Sequence, residues 1–255
     1  MTDYKEFTDF TEAEREQFTE FKRRMNMQAA QAQVGKLEFN LTEATLDKVT
    51  LRKACQDASS LKLGAVCVLP NQVKPCISCL GTNPEVSVIA CISYPHGGDS
   101  LKTKVDAVKH AIKDGADEVE VTAPIAYVKD GNWNYIKREF KKLKSASKKK
   151  ALRIDLESPL LTEHELIRLC TLAADCGITS LRLSSESYSA DGINGITFNV
   201  AETITRVKTA VKDKCTIKAD GALTMTDVNT AVEMGAVIIG SKNAPSLAKL
   251  ILQTA

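Results

Sequence analysis

The sequence predicts an α/β fold, a single closed (β/α)8 barrel behind a short helical extension. Three observations lead there. Past about residue 35, eight short β-rich runs alternate with segments of helical period. No break in composition divides these units into two domains. A chain of 255 residues is also a common size for one α/β barrel. A doubly wound open sheet is the competing architecture, weakened because no Gly-x-Gly-x-x-Gly follows the first strand.

Residues 1–35 form the expected extension, and residues 36–255 the barrel. Phe7, Phe10, Phe18 and Phe21 fall near one face of a helix in the extension. That face is expected to cap the barrel bottom, an oligomer or partner surface being the alternative. The strands are expected at 36–41, 64–69, 86–93, 118–122, 151–157, 180–184, 215–219 and 237–241. Helices are expected near 43–60, 72–80 (the weakest), 101–114, 133–147, 163–176, 200–212, 225–234 and 246–254. Asp99-Ser100 and the capping box opened by Thr162 mark two starts, and Gly115, Gly177 and Gly235 mark three ends.

Composition narrows the function classes. The chain is 44% hydrophobic and carries a net charge of +2, enough apolar content for a core and too little charge for a global nucleic-acid footprint. No apolar run approaches the roughly 18 residues of a membrane span. The acidic, polar start MTDYKEFTDF is unlike a secretory or transit peptide, so a cytoplasmic protein is expected. The eight cysteines then read as reduced thiols. Cys76 and Cys79 form one Cys-x-x-Cys pair, but nothing nearby completes the four ligands of a zinc site, so no metal is expected.

Strand parity points to the chemistry. In 151–157, Leu152, Ile154 and Leu156 alternate with Arg153, Asp155 and Glu157; in 180–184, Leu181 and Leu183 alternate with Arg182 and Ser184. The apolar parity belongs under the helices, which turns the charged parity into the barrel. Glu120, Arg153, Asp155, Arg182, Lys218 and Asp220 thus form a ring of opposite charges. Buried charges must pair, bind a ligand, or both. A structural ion network and a substrate site at the strand C-termini are the two readings.

The motifs VCVLP (66–70), SYPHGG (93–98), GADEVEV (115–121), Arg153-x-x-x-Glu157, GITSLRLSSES (177–187), IKADG (217–221) and GAVIIGS (235–241) occur in an order that resembles the deoxyribose-phosphate aldolases, over about residues 36–250. The resemblance implies a TIM barrel and a metal-free, cofactor-free class I aldolase. Such an enzyme splits 2-deoxyribose 5-phosphate into glyceraldehyde 3-phosphate and acetaldehyde through a lysine Schiff base. That chemistry needs a neutral lysine beside a second cation, and a carboxylate to shuttle protons.

Mapped onto the resemblance, the imine lysine of strand six is replaced by Arg182, whose guanidinium stays protonated. The second lysine remains as Lys218, the aspartate of strand four becomes Glu120, and the strand-two cysteine is Cys67. The substrate-binding positions it implies are Glu38, Asn40, Arg153, Ser184, Asp220, Gly221, Gly240, Ser241 and Lys242. Glu38 and Asn40 depart from an Asp-x-Thr pattern, and Asp220 stands where a phosphate-binding loop has glycine. Lys242 is expected either to restore phosphate affinity or to pair with Asp220.

The changes converge on one pocket, so the leading expectation is a degenerate aldolase, inactive on deoxyribose 5-phosphate, that binds a protein partner or a sugar phosphate. The alternative is an active class I aldolase with Lys218 as imine lysine and Arg182 depressing its pKa. Lys141, Lys142, Lys144, Lys148, Lys149 and Lys150 offer a surface for an acidic partner, against the reading of a solvated helix face. The resemblance is also compatible with a homodimer; no membrane or nucleic-acid partner is expected.

Overall fold

Each β-rich run folds as a strand whose two parities face different neighbours. The computed structural model describes residues 10–81, 85–188, 199–221 and 224–255. In it β1 (Leu37–Leu41), β2 (Ala65–Val68), β3 (Ser87–Ile92), β4 (Glu118–Thr122), β5 (Ala151–Asp155), β6 (Ser180–Arg182), β7 (Thr216–Asp220) and β8 (Ile238–Ser241) pair in chain order. All pairs are parallel, and β8 closes on β1 through Glu38↔Gly240. The fold is a TIM (β/α)8 barrel. Register carries the charged residues to common heights, with Glu120 beside Arg153, Asp155 beside Arg182, and Arg182 beside Lys218.

Ten helices are described, numbered in chain order: α1 (Glu12–Val34), α2 (Lys48–Leu61), α3 (Val73–Leu80), α4 (Leu101–Lys113), α5 (Ile125–Lys129), α6 (Trp133–Ser147), α7 (Glu163–Asp175), α8 (Val200–Val211), α9 (Met225–Glu233) and α10 (Ala244–Gln253). The outward parity of the strands packs beneath the barrel helices, where Val119, Val121, Leu152, Ile154, Leu181 and Ile217 are buried.

The differences from the sequence expectation include an earlier end of strand five, at Asp155, two further boundaries and one added helix. The helix expected from residue 43 starts at Lys48, because Asp47 caps it by accepting from the Thr50 amide at 2.7 Å. Strand six ends at Arg182, and its side-chain Nε donates to the Ser184 carbonyl at 2.9 Å. The five-residue α5 follows Pro124 and is too short to show a period.

The extension also behaves differently. α1 packs its last turns against α10, burying Ala30 and Val34. Phe18 and Phe21 are 37% and 51% exposed, so they do not cap the barrel. Phe7 lies outside the described residues. Charges interleaved along the helix leave an apolar stripe too narrow to hold it down.

One close approach tests the frame. Gly97 has φ +64°, and a Cβ there would sit 1.8 Å from the Ala123 carbonyl oxygen. Gly97→Ala is expected to cost more than about 1 kcal/mol, read as a lower midpoint in urea unfolding. An unchanged midpoint would show that the loop after β3 gives way.

Candidate functional site

The inward parity supplies a charge network. Arg153 donates both terminal nitrogens to Glu38 at 2.9 Å, one of them also to Glu120 at 3.0 Å, and its Nε to Ser180 at 3.1 Å. Arg182 pairs with Glu120 and, at 2.9 Å, with Asp220. Lys218 Nζ lies 2.8 Å from Glu38, 3.4 Å from Glu120 and 3.6 Å from Asp220, and donates to Asn40 at 3.3 Å. Three cations therefore balance the carboxylates of Glu38, Glu120 and Asp220. Opposite them, Ala65, Cys67, Ile89 and Cys91 fill the β2–β3 side with apolar and thiol groups.

The electrostatics follow from these contacts. Burial alone would raise Glu120, but Arg182, Lys218 and Arg153 hold its carboxyl well below the usual range. Burial likewise opposes the ammonium of Lys218, yet Asp220, Glu120 and Glu38 outweigh it and raise its pKa above the ordinary lysine value. The expected depression of Lys218 by Arg182 is present but is overwhelmed by these three carboxylates.

A second acidic layer lies nearer the mouth. Asp155 and Glu157 are fully buried, and Asp155 Oδ2 and Glu157 Oε1 have no hydrogen-bond partner among the described residues. Burial, and then Glu157, push the Asp155 carboxyl well above its usual range; burial also raises Glu157. Both thus favour the neutral acid form.

The mouth is crossed by polar straps. Tyr94 Oη donates to the Ser185 carbonyl at 3.1 Å and meets Thr42 at 3.2 Å and Ser187 at 2.9 Å. Glu186 accepts from the Gly221 amide at 2.7 Å and from Asn40 at 3.4 Å. Glu120, Arg182 and Lys218 beneath have no exposed surface.

Most positions named from sequence converge here. Glu38, Asn40, Glu120, Arg153, Arg182, Lys218 and Asp220 form one network, and Cys67 lies 4.0 Å from Glu120. Gly240 packs against it, since a Cβ there would meet Asp220 at 2.1 Å. Ser184 is buried and accepts from the Glu186 amide, and Ser241 accepts from the Asn243 amide. Gly221 offers its amide to Glu186. Lys242 does not pair with Asp220 as one reading expected: it pairs with Glu43 at 3.3 Å, half-exposed, because Asp220 turns inward to Arg182 and Lys218.

Sequence reasoning missed Cys91, which approaches Glu120 at 3.3 Å, although its parity with Ile89 places it inside. Tyr94 and Glu186 were missed because they sit beyond strand ends, where no period fixes direction. Cys67, Cys91 and Glu120 bring their ligand atoms within 4.8 Å of one another. Glu120 is already shared among three cations, which makes a poor metal donor set.

A profile described as "DeoC/LacD family aldolase" matches residues 22–166. A deoxyribose-phosphate aldolase of Clostridium botulinum is 30% identical over 214 residues, covering 84% of this chain and 97% of that protein. Among solved structures, the aldolase QR15 superposes with a TM-score of 0.79 at 21% identity, over 86% of this chain and 96% of that one. A deoxyribose phosphate aldolase of Aeropyrum pernix gives 0.75 at 20% identity, over 91% and 99%.

Proposed function

This chain belongs to the DeoC/LacD family of aldolases, and from that premise we propose that it is a family member without imine chemistry that acts by binding. The carrying observation is the state of the two cations at the base of the mouth. Arg182 cannot become a neutral amine, and Lys218 is surrounded by Glu38, Glu120 and Asp220 within 2.8–3.6 Å. A lysine must lose its proton before attacking a carbonyl, and these carboxylates hold that proton. With deoxyribose 5-phosphate, the release of glyceraldehyde 3-phosphate is expected to stay at background in a coupled assay where an active aldolase turns over. Sustained turnover would overturn the reading.

A phosphate ester is disfavoured at the same mouth. The Gly221 amide is taken by Glu186, Lys242 is turned to Glu43, and Asp220 adds a negative charge. Millimolar deoxyribose 5-phosphate is expected to leave Tm unchanged, whereas a ligand at 100 times its Kd adds about 2.7 kcal/mol. A dose-dependent rise in Tm would instead favour a sugar-phosphate sensor.

The binding surface we favour lies on the outer helices. Lys109 and Lys113 of α4, Lys142 of α6 and Lys148 just past its end rim a groove of about 780 Å³ whose floor includes Val105, Ile112 and Ala146. Lys141 and Lys149 are exposed beside it, Lys144 is half-buried, and Lys150 pairs with Asp117 at 3.5 Å. Cations around an apolar floor fit an acidic, amphipathic protein segment. Retention on immobilised polyglutamate should be strong at low salt, weaken at high salt, and fall in Lys142→Glu/Lys148→Glu. Equal retention by that variant would remove the groove from the reading.

A further inference from the structure

Away from the barrel mouth, three thiols meet where α2 packs against α3. Cys55 of α2 and Cys76 of α3 are fully buried with their sulfurs 3.6 Å apart. Cys79, one turn along α3, also reaches Cys55 and is half-buried, so it has access to solvent. None of the three serves the charge network, and their separation on two helices distinguishes them from the scattered core thiols.

We propose that Cys55, Cys76 and Cys79 form a thiol–disulfide exchange site, entered by a small disulfide of the glutathione class at Cys79 and resting as a Cys55–Cys76 disulfide. The geometry requires little movement. A disulfide needs sulfurs about 2 Å apart, and the two buried sulfurs are already in contact. The order of attack follows access and charge. Cys79 meets the reagent first: its thiolate attacks one sulfur, the reagent's S–S bond breaks, and one small thiolate leaves and takes up a proton. Cys55 follows, its thiol held below the ordinary value by its hydrogen bond with Cys76, although burial opposes this. It attacks the Cys79 sulfur and expels the second small thiolate. Cys76 then attacks Cys55, and its proton passes to the departing Cys79. In sum, two protein thiols lose two electrons and two protons, and the small disulfide becomes two thiols.

Burial of the final pair closes it to direct attack by a small thiol, so reversal must run back through Cys79. Cys67 and Cys91 lack such an entry thiol, being enclosed in the barrel.

The test treats the reduced, folded full-length protein with oxidised glutathione, blocks remaining thiols, and maps disulfides by peptide fragmentation without reduction. The expected product links Cys55 to Cys76 and leaves Cys79 alkylated. Cys79→Ser should form the same link at least tenfold more slowly, and Cys55→Ser should accumulate a glutathione adduct on Cys79. Thermal unfolding of each variant checks that it is folded. Free thiols throughout would overturn the proposal. So would a product confined to Cys79, whether joined to Cys76, to Cys55 or to glutathione, in the unmutated protein.

Discussion

Glu120→Ala is expected to lower the stability of the barrel by roughly 3–5 kcal/mol at neutral pH, the usual cost of stripping one partner from buried charges. For a chain of this size that is a fall in Tm of roughly 6–20 °C. The reason is positional. Glu120 accepts from Arg153 and Arg182 and lies 3.4 Å from Lys218, so its removal leaves three buried cations with only Glu38, Asp220 and, for Arg153, the partly exposed Glu118 as ion-pair partners among the described residues. Its carboxyl is held below the usual range, so the stabilisation is present above the unfolded-state pKa and is lost as pH falls through the folded value. The penalty of the substitution should therefore shrink on acidification. Calorimetry from pH 3 to 8 checks both points; a small, pH-independent change would mean that the cations find other partners.

Asp155→Asn is expected to do the opposite and stabilise the protein at neutral and alkaline pH. The Asp155 carboxyl is raised well above its usual range, by burial first and then by Glu157. A raised acid binds its proton more tightly in the folded state. Its contribution is complete below the unfolded-state pKa, about 3.9, and declines as pH rises toward the folded value. An amide has no proton to lose and has a similar shape. The Tm of the variant should match the parent near pH 4 and exceed it increasingly toward pH 8. A deficit that grows with pH would show that the carboxylate form is stabilised instead, for example by Arg182.

Much of this architecture is legible in the sequence, for a definite physical reason. Charges on one parity of a strand can face inward only if the other parity is covered, so Leu152, Ile154 and Leu181 place Arg153, Asp155 and Arg182 inside the barrel before any register is known. Which carboxylate meets which cation depends on register and on rotamers, and parity is silent on both. Lys242 illustrates this, since its partner Glu43 lies in the loop after β1. Tyr94 and Glu186 lie past the strand ends, where direction is set by loop contacts such as those with Ser185 and Gly221. α1 was readable as a helix from the spacing of Phe10, Phe18 and Phe21, but its packing on α10 was not, because only Ala30 and Val34 are buried.

The family's reaction turns on a lysine that can be neutral, and the network here offers Arg182 and a Lys218 whose proton three carboxylates retain. Arg182→Lys alone is expected to restore no turnover, because a lysine there would still face Glu120 and Asp220.

Borohydride trapping tests the central claim most directly. The protein would be incubated with deoxyribose 5-phosphate, and separately with acetaldehyde, under borohydride, beside an active aldolase as control. Intact and peptide mass spectrometry would follow. The expected result is a trapped control and no reduced adduct on Lys218. A reduced adduct on Lys218 would mean that imine chemistry proceeds from strand seven, and would contradict the account.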